Sequence, residues 1–133
     1  MKRLLDASAW IEFLSEGAVA GRIAPMVSDP SQLLVPTTVL SEVHHWVLDR
    51  RGSREALMVV ASMRQATVLA VDETLAAAAA EVAARYSIKL SRSVVYACSV
   101  MHNAELVTVD RRLAELPRVN YLETGTRKKK SKD

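Results

Sequence analysis

Three acidic residues stand where a parallel sheet would bring them to one edge. Asp6 directly follows the short apolar run 3–5. Asp110 follows the run 105–109 in the same way, and Glu42 lies on a helical pattern that comes after another apolar run. Open α/β sheets bind ligands at the carboxyl ends of their strands, so acids at these points are candidate site residues. Clustered carboxylates repel one another unless protons or a divalent cation compensate, and oxygen ligands suit Mg²⁺ or Mn²⁺.

Two hydroxyl residues stand close to these acids in the sequence. Ser8 lies at the start of the helix expected after Asp6, where its hydroxyl can cap the helix, hold a metal-bound water, or do both. Thr108 precedes Asp110 by two positions, so both side chains point to the same face of their strand. For any one acid alone, a role as a helix cap or surface residue is the simpler interpretation. The presence of acids at the ends of two strands favours a site.

Other chemistries fit the sequence less well. No glycine-rich phosphate loop follows the first apolar run, which argues against an ordinary nucleotide-binding domain. The segment 6–8 lacks the second aspartate expected of an aspartyl-phosphate phosphatase. Cys98 falls in the middle of a helical pattern on its apolar face, so we expect it to pack rather than react. His44 and His45 are neighbours about 100° apart on a helix, which favours surface histidines over a metal pair.

Strand-like and helix-like segments alternate along the chain, which predicts an α/β fold with a parallel sheet covered on both faces. We expect helices to follow each of the first four strands. Asp72 is the expected N-cap of the helix 73–85, and Gly17 and Gly52 are expected to end helices. The predicted strands are 3–5, 32–35, 67–71, 105–109 and 119–122.

Composition and charge indicate a single domain with a basic end. The chain has 133 residues and a net charge of +3, but residues 127–133 carry +4, which leaves −1 for the rest. We expect one domain over residues 1–123 and a basic, disordered tail over 124–133. The single cysteine suits a reducing cytoplasm, and no apolar run approaches the roughly 18 residues that a membrane span needs, so we expect no membrane partner.

Three segments resemble the motifs of PIN-domain nucleases, in particular the VapC-type toxins of bacterial toxin–antitoxin pairs. They are Leu-Leu-Asp-Ala-Ser-Ala at 4–9, Leu-Ser-Glu-Val at 40–43 and Leu-Val-Thr-Val-Asp-Arg at 106–111. The resemblance implies a PIN-like three-layer fold with a central parallel sheet of four or five strands. It also implies a Mg²⁺- or Mn²⁺-dependent endoribonuclease, often dimeric, that a cognate antitoxin holds inactive. The residues that it implies as metal ligands and catalytic groups are Asp6, Glu42 and Asp110.

One residue departs from the family pattern. The segment 90–97 aligns with a part of the family that normally carries an aspartate where Arg92 stands. Arg92 falls in the first turn of its helix, where the helix dipole disfavours a cation by roughly 0.3–1 kcal/mol. Its guanidinium could neutralise Asp6 and Asp110 by bidentate pairing in the place of a metal, or it could extend into solvent.

Three interpretations of the sequence therefore stay open. The chain is a PIN ribonuclease, or a PIN fold disabled at Arg92 that still binds RNA or an antitoxin, or an α/β binding module with incidental acids. Three motifs in order across almost the whole chain favour the PIN fold that the first two interpretations share, and the ribonuclease is the leading interpretation, with the disabled fold as its alternative.

Overall fold

The fold is built around a five-stranded sheet in which every neighbouring pair of strands is parallel. In this computed structural model, which describes residues 1–125, the strand order is β3-β2-β1-β4-β5. The predicted basic tail lies outside the described residues from residue 126 onward. The strands are β1 (Arg3–Leu5), β2 (Leu33–Pro36), β3 (Thr67–Leu69), β4 (Glu105–Thr108) and β5 (Val119–Tyr121).

Five helices pack against this sheet. Leu4 and Leu5 are adjacent on β1, so their side chains point to opposite faces of the sheet, and both are fully buried. Both faces are therefore covered, as expected for parallel strands, and the predicted three-layer α/β fold is confirmed. The helices are α1 (Ala7–Leu14), α2 (Ala20–Val27), α3 (Thr37–Met63), α4 (Glu73–Tyr86) and α5 (Leu90–Met101).

Helix boundaries follow the predicted signals in part. Asp72 caps α4 through a hydrogen bond from the amide of Leu75, and Gly52 interrupts α3 with φ of 88°. The prediction that Gly17 adopts the left-handed conformation after α1 is wrong, because Glu16 does so with φ of 56°. Gly17 is instead placed against the carboxylate of Glu12, which leaves no room for a Cβ.

The start of α3 differs from the sequence pattern, in which Thr37 or Thr38 is the expected N-cap. Neither Thr37 nor Thr38 acts as the N-cap, because the helix begins at Thr37 and Pro36 precedes it without a capping side chain. The hydroxyl of Thr37 instead accepts a hydrogen bond from the amide of Val71, which connects the helix to the segment after β3. Among the helices of residues 1–125, none is long and apolar enough to cross a lipid bilayer.

Candidate active site

The pairing of β1 with β4 brings together the site residues that follow the first strand and those at the end of the fourth. Leu5 is in register with Val107, and the amide of Asp6 donates to the carbonyl of Val107 at 3.2 Å. Asp6 therefore lies beside Thr108, although about a hundred positions separate them in the sequence. The side chain of Asp6 is almost fully buried, since only 6% of the residue's surface is exposed.

Three donors hold the carboxylate of Asp6 in place. Its Oδ1 accepts hydrogen bonds from the hydroxyl of Ser8 at 2.7 Å and from the amide of Ala9 at 2.9 Å. Its Oδ2 accepts from the hydroxyl of Thr108 at 2.5 Å. Asp6 is thus the N-cap of α1, and the expectation that Ser8 caps this helix is wrong. A carboxylate oxygen has two lone pairs, so within residues 1–125 Oδ2 retains one that no protein group uses.

The two supporting hydroxyls have fixed directions. Ser8 Oγ accepts from the amide of Val109 at 3.1 Å, and Thr108 Oγ1 accepts from the amide of Asp110 at 2.9 Å. Each hydroxyl has one proton, and both protons are directed at Asp6. The network therefore couples Asp6 to the end of β4 and, through Thr108, to the backbone of Asp110.

The pKa values of Asp6 and Glu42 reflect crowding of acids. Burial raises the pKa of Asp6, the bonds from Ser8, Thr108 and Ala9 lower it in part, and the charge of Asp110 raises it further. Burial also raises the pKa of Glu42, and the negative charge of Asp6 adds to this. Both carboxyls are thus harder to ionise than usual, which is the electrostatic condition that a cation would relieve.

Asp110 has a different environment because two arginines surround it. Arg92 Nε donates to Asp110 Oδ2 at 2.6 Å, and the two side chains are only 20% and 18% exposed. Oδ1 accepts from the amide of Arg112 at 3.0 Å, and the Arg112 guanidinium lies 3.8 Å away. Burial alone would raise the pKa of Asp110, but these hydrogen bonds and the charges of both arginines outweigh it and lower the pKa.

One small cavity gathers most of the residues singled out in the sequence. It has a volume of about 170 Å³, and Glu42 reaches it from α3 although that side chain is exposed. Its lining includes Asp6, Ser8, Glu42, Ser91, Arg92 and Asp110. Thr108 lies beneath it, fully buried and bonded to Asp6. A larger groove of about 470 Å³ lies between α4 and α5, but it contains none of the three predicted acids.

Residues outside this cavity behave as the sequence indicated. Cys98 is fully buried, and burial raises the pKa of its thiol to about 11. His44 and His45 line a separate surface depression rather than the acid cavity. Arg112 and Ser91 were missed by the sequence analysis. An aspartate that opens a turn accepts the amide two residues onward, and this pattern could have identified Arg112.

Arg92 meets one of the two acids that it was expected to neutralise. It is the third residue of α5, as predicted, and it turns toward the cavity rather than into solvent. Within residues 1–125 its guanidinium makes one hydrogen bond, from Nε to Asp110, so the pairing is not bidentate and does not reach Asp6. Asp6 is held by hydrogen bonds from neutral donors, and Arg92 does not pair with it.

The donor chemistry suits a divalent cation at one side of the cavity. Within residues 1–125, no group of three or more histidine, cysteine or acidic residues is arranged to hold a metal ion. Asp110 is committed to arginine, whereas Asp6 and Glu42 provide oxygen ligands without a basic partner among the described residues. Mg²⁺ is commonly held by one or two carboxylates together with substrate phosphates, so the pair formed by Asp6 and Glu42 fits such an ion.

The sequence matches the PIN domain family over residues 3–119. The chain therefore belongs to this family, and the expectation drawn from its three motifs is confirmed. PIN nucleases generally use divalent metal ions. No curated protein sequence matches the chain.

Solved structures share the fold at low sequence identity. A toxin–antitoxin complex from Klebsiella pneumoniae is 19% identical, with a TM-score of 0.73, covering 89% of this chain and 95% of that one. VapC20 of Mycobacterium tuberculosis, described as a toxin that cleaves the sarcin–ricin loop, is 19% identical with a TM-score of 0.71, covering 90% and 98%. A DNA-bound VapBC from Salmonella typhimurium is 14% identical with a TM-score of 0.69, covering 92% and 97%. The chain thus has the fold of VapC-type proteins.

Proposed function

We propose that this PIN-domain protein is an endoribonuclease that hydrolyses RNA phosphodiesters with the help of Mg²⁺ or Mn²⁺. The observation that carries the proposal is the cavity in which Asp6, Glu42 and Asp110 meet at the carboxyl ends of β1 and β4. The fold that the chain shares with a toxin described as cleaving the sarcin–ricin loop supports RNA as the substrate class.

The three acids have distinct roles in this proposal. Asp6 and Glu42 would hold the ion, which when bound supplies Lewis acidity toward water and a phosphoryl oxygen. Ser8 and Thr108 keep the Asp6 carboxylate in one orientation, because both donate to it. Asp110 completes the acid cluster, and it would be available to hold the ion only in the absence of its bond to Arg92.

Cleavage of labelled RNA tests the proposal. The protein is mixed with single-stranded and structured RNA in Mn²⁺ or Mg²⁺, and parallel samples contain EDTA. We expect cleavage with either ion, none with EDTA, and a loss of at least about a hundredfold in Asp6→Asn. Asp49→Asn is the matched control, since Asp49 is exposed on α3 outside the cavity lining and the change is chemically identical. Cleavage that persists in EDTA or in Asp6→Asn would refute the assignment of the site.

The pairing of Arg92 with Asp110 favours a second candidate function. In that case the chain is a PIN fold without nuclease activity that binds RNA or an antitoxin. The reason is that the Arg92 guanidinium occupies the Asp110 carboxylate, which would otherwise be the third metal ligand. The variant Arg92→Asp decides between the two. If the natural chain does not cleave RNA but Arg92→Asp does, the second candidate is correct, whereas cleavage by the natural chain rules it out.

We also propose the partners that the family resemblance implies. The chain would act in the cytoplasm as a homodimer that a cognate antitoxin holds inactive. The toxin–antitoxin complexes with the same fold support the antitoxin as a partner. Sedimentation of the purified chain tests the homodimer. Growth arrest on expression, relieved by co-expression of the antitoxin, tests the toxin assignment, and unaffected growth with active nuclease would contradict it.

A further inference from the structure

Arg92 presents unused hydrogen-bond donors to the cavity. Its Nε is bound to Asp110 at 2.6 Å, but within residues 1–125 neither Nη1 nor Nη2 has a hydrogen-bond partner. The side chain is 20% exposed, and its two Nη atoms are not buried without a partner, so they stay accessible from outside the protein. A guanidinium with one bonded edge and one open edge can still donate to an external acceptor.

The neighbouring acids do not provide that acceptor. The Asp6 carboxylate accepts from Ser8, Ala9 and Thr108, and within residues 1–125 Arg92 makes no hydrogen bond to it. Glu42 lines the same cavity without a hydrogen bond to Arg92 among the described residues. The open edge of the guanidinium is therefore free to receive an acceptor from outside the protein.

Charges divide the cavity into two sides. Asp6 and Glu42 form an acidic side, where a divalent cation would be neutralising. On the other side, Arg92 pairs with Asp110, and the exposed guanidinium of Arg112 lies 3.8 Å from the same carboxylate, so the negative charge of Asp110 is compensated there. The N-terminal turn of α5 adds to this side, because Ser91 lines the cavity and the helix has no side-chain cap.

We propose that Arg92 binds a backbone phosphate of RNA and that Asp110 is the residue that positions it. This inference rests on RNA being the ligand in the proposed function. The planar guanidinium offers paired N–H groups that match phosphate oxygens, and an acid bound to Nε fixes the plane of that fork. The departure from the family pattern at Arg92 is then a phosphate contact rather than a vacant ligand position.

RNA binding without cleavage tests the role of Arg92. Fluorescence anisotropy with a labelled oligouridylate in EDTA gives Kd over a series of salt concentrations. We expect Arg92→Ala to weaken binding about tenfold and to reduce the slope of log K against log salt by about 0.7, the value for one phosphate contact on a single strand. Arg92→Lys keeps the charge but loses the fork, so its slope should match the natural chain while its affinity falls.

The control is Arg64→Ala, which removes the same charge from an exposed residue before β3, at the opposite edge of the sheet. It should leave Kd within about twofold and the slope unchanged. If Arg92→Ala and Arg92→Lys bind RNA with the Kd and slope of Arg64→Ala, the proposal is wrong.

A double-mutant cycle tests whether Asp110 positions Arg92. In the natural background Asp110→Asn should weaken RNA binding, because Arg92 loses its orientation. In the Arg92→Ala background the same change should strengthen binding, because it removes an acid that only repels phosphate. Stronger binding in both backgrounds would mean that Asp110 has no positioning role and would overturn that part of the proposal.

These measurements are independent of cleavage. A chain that fails to cleave in Mn²⁺ but shows the Arg92 slope change contradicts the proposed nuclease and supports the phosphate contact. A chain that cleaves but shows no slope change contradicts the phosphate contact alone.

Discussion

The buried hydroxyl of Thr108 offers a direct test of how the site is held together. Thr108 is fully buried, donates to Asp6 Oδ2 at 2.5 Å and accepts from the amide of Asp110 at 2.9 Å. The variant Thr108→Val preserves the shape of the side chain but removes both bonds. It leaves one oxygen of a buried carboxylate and one backbone amide without these partners.

The expected loss of stability follows from those two groups. An unsatisfied buried polar group costs about 1–3 kcal/mol, with a charged group at the upper end. We therefore expect Thr108→Val to lower the free energy of unfolding by about 3 kcal/mol, after some relaxation. Thr108→Ser keeps the hydroxyl and loses one methyl group, so it should cost only about 1 kcal/mol.

Urea denaturation of both variants, with and without Asp6→Ala, measures these energies. Because Asp6→Ala removes the carboxylate, Thr108→Val should cost about half as much in that background. The pH dependence provides a second check. The pKa of Asp6 is raised, so its stabilising contribution is complete below the ordinary carboxyl pKa and is lost as the pH rises through the raised value. Thr108 favours the ionised form, and its loss should therefore cost more at about pH 7 than at about pH 4.

The reasoning would be refuted if Thr108→Ser were as damaging as Thr108→Val, since the cost would then arise from packing. Equal costs of Thr108→Val with and without the Asp6 carboxylate would refute the proposed coupling.

Three further predictions concern other parts of the chain. Cys98 is fully buried, and burial raises its pKa to about 11. Iodoacetamide should therefore not label the native protein at about pH 8. The free energy of unfolding should fall as the pH rises through about 11. Mass spectrometry detects the labelling, and labelling of the native chain at the rate of the unfolded chain would contradict the burial. In Gly17→Ala the new Cβ would lie 2.3 Å from Glu12 Oε2, which accepts a hydrogen bond from the Val19 amide. Thermal unfolding should therefore show a loss of about 1 kcal/mol in the free energy of unfolding. That loss should vanish in a Glu12→Ala background, and its persistence there would point to a different cause. Arg92→Asp should raise the affinity for Mn²⁺ about tenfold or more, which is the size of one charge-assisted contact. Electron paramagnetic resonance of free Mn²⁺ measures this affinity. An unchanged affinity would show that Arg92 does not limit ion binding.

Much of the fold follows from local patterns in the sequence. Each predicted strand matches an observed strand within two residues at either end, because short apolar runs bounded by turn residues have few alternatives. The cap at Asp72 was predictable since an aspartate before a helical pattern can serve its first free amides. The gathering of Asp6 and Asp110 was predictable because strand-end acids in a parallel sheet share one edge.

The details of the site depended on contacts that no local pattern contains. The donors around Asp6 determine which acid Arg92 pairs with. The Asp6 carboxylate already accepts hydrogen bonds from Ser8 and Thr108, so the guanidinium pairs with the other acid. The left-handed residue after α1 proved to be Glu16 and not Gly17, since the glycine was needed to accommodate the folded-over Glu12. In both cases a tertiary contact overrode a residue preference that was correct in isolation.

The pairing of β1 with β4 also determines when the site forms during folding. Asp6 directly follows the first strand, whereas Thr108, which donates to it, ends the fourth strand, and the arginine-bound Asp110 comes two residues later. The polypeptide between β1 and β4 must be closed into one long loop before the bond from Thr108 to Asp6 exists, and such loops form slowly compared with local helices. A nascent chain that has not yet emerged past β4 therefore has the first acid but no site, so the chemistry proposed for this cavity begins only when synthesis of the domain is nearly complete.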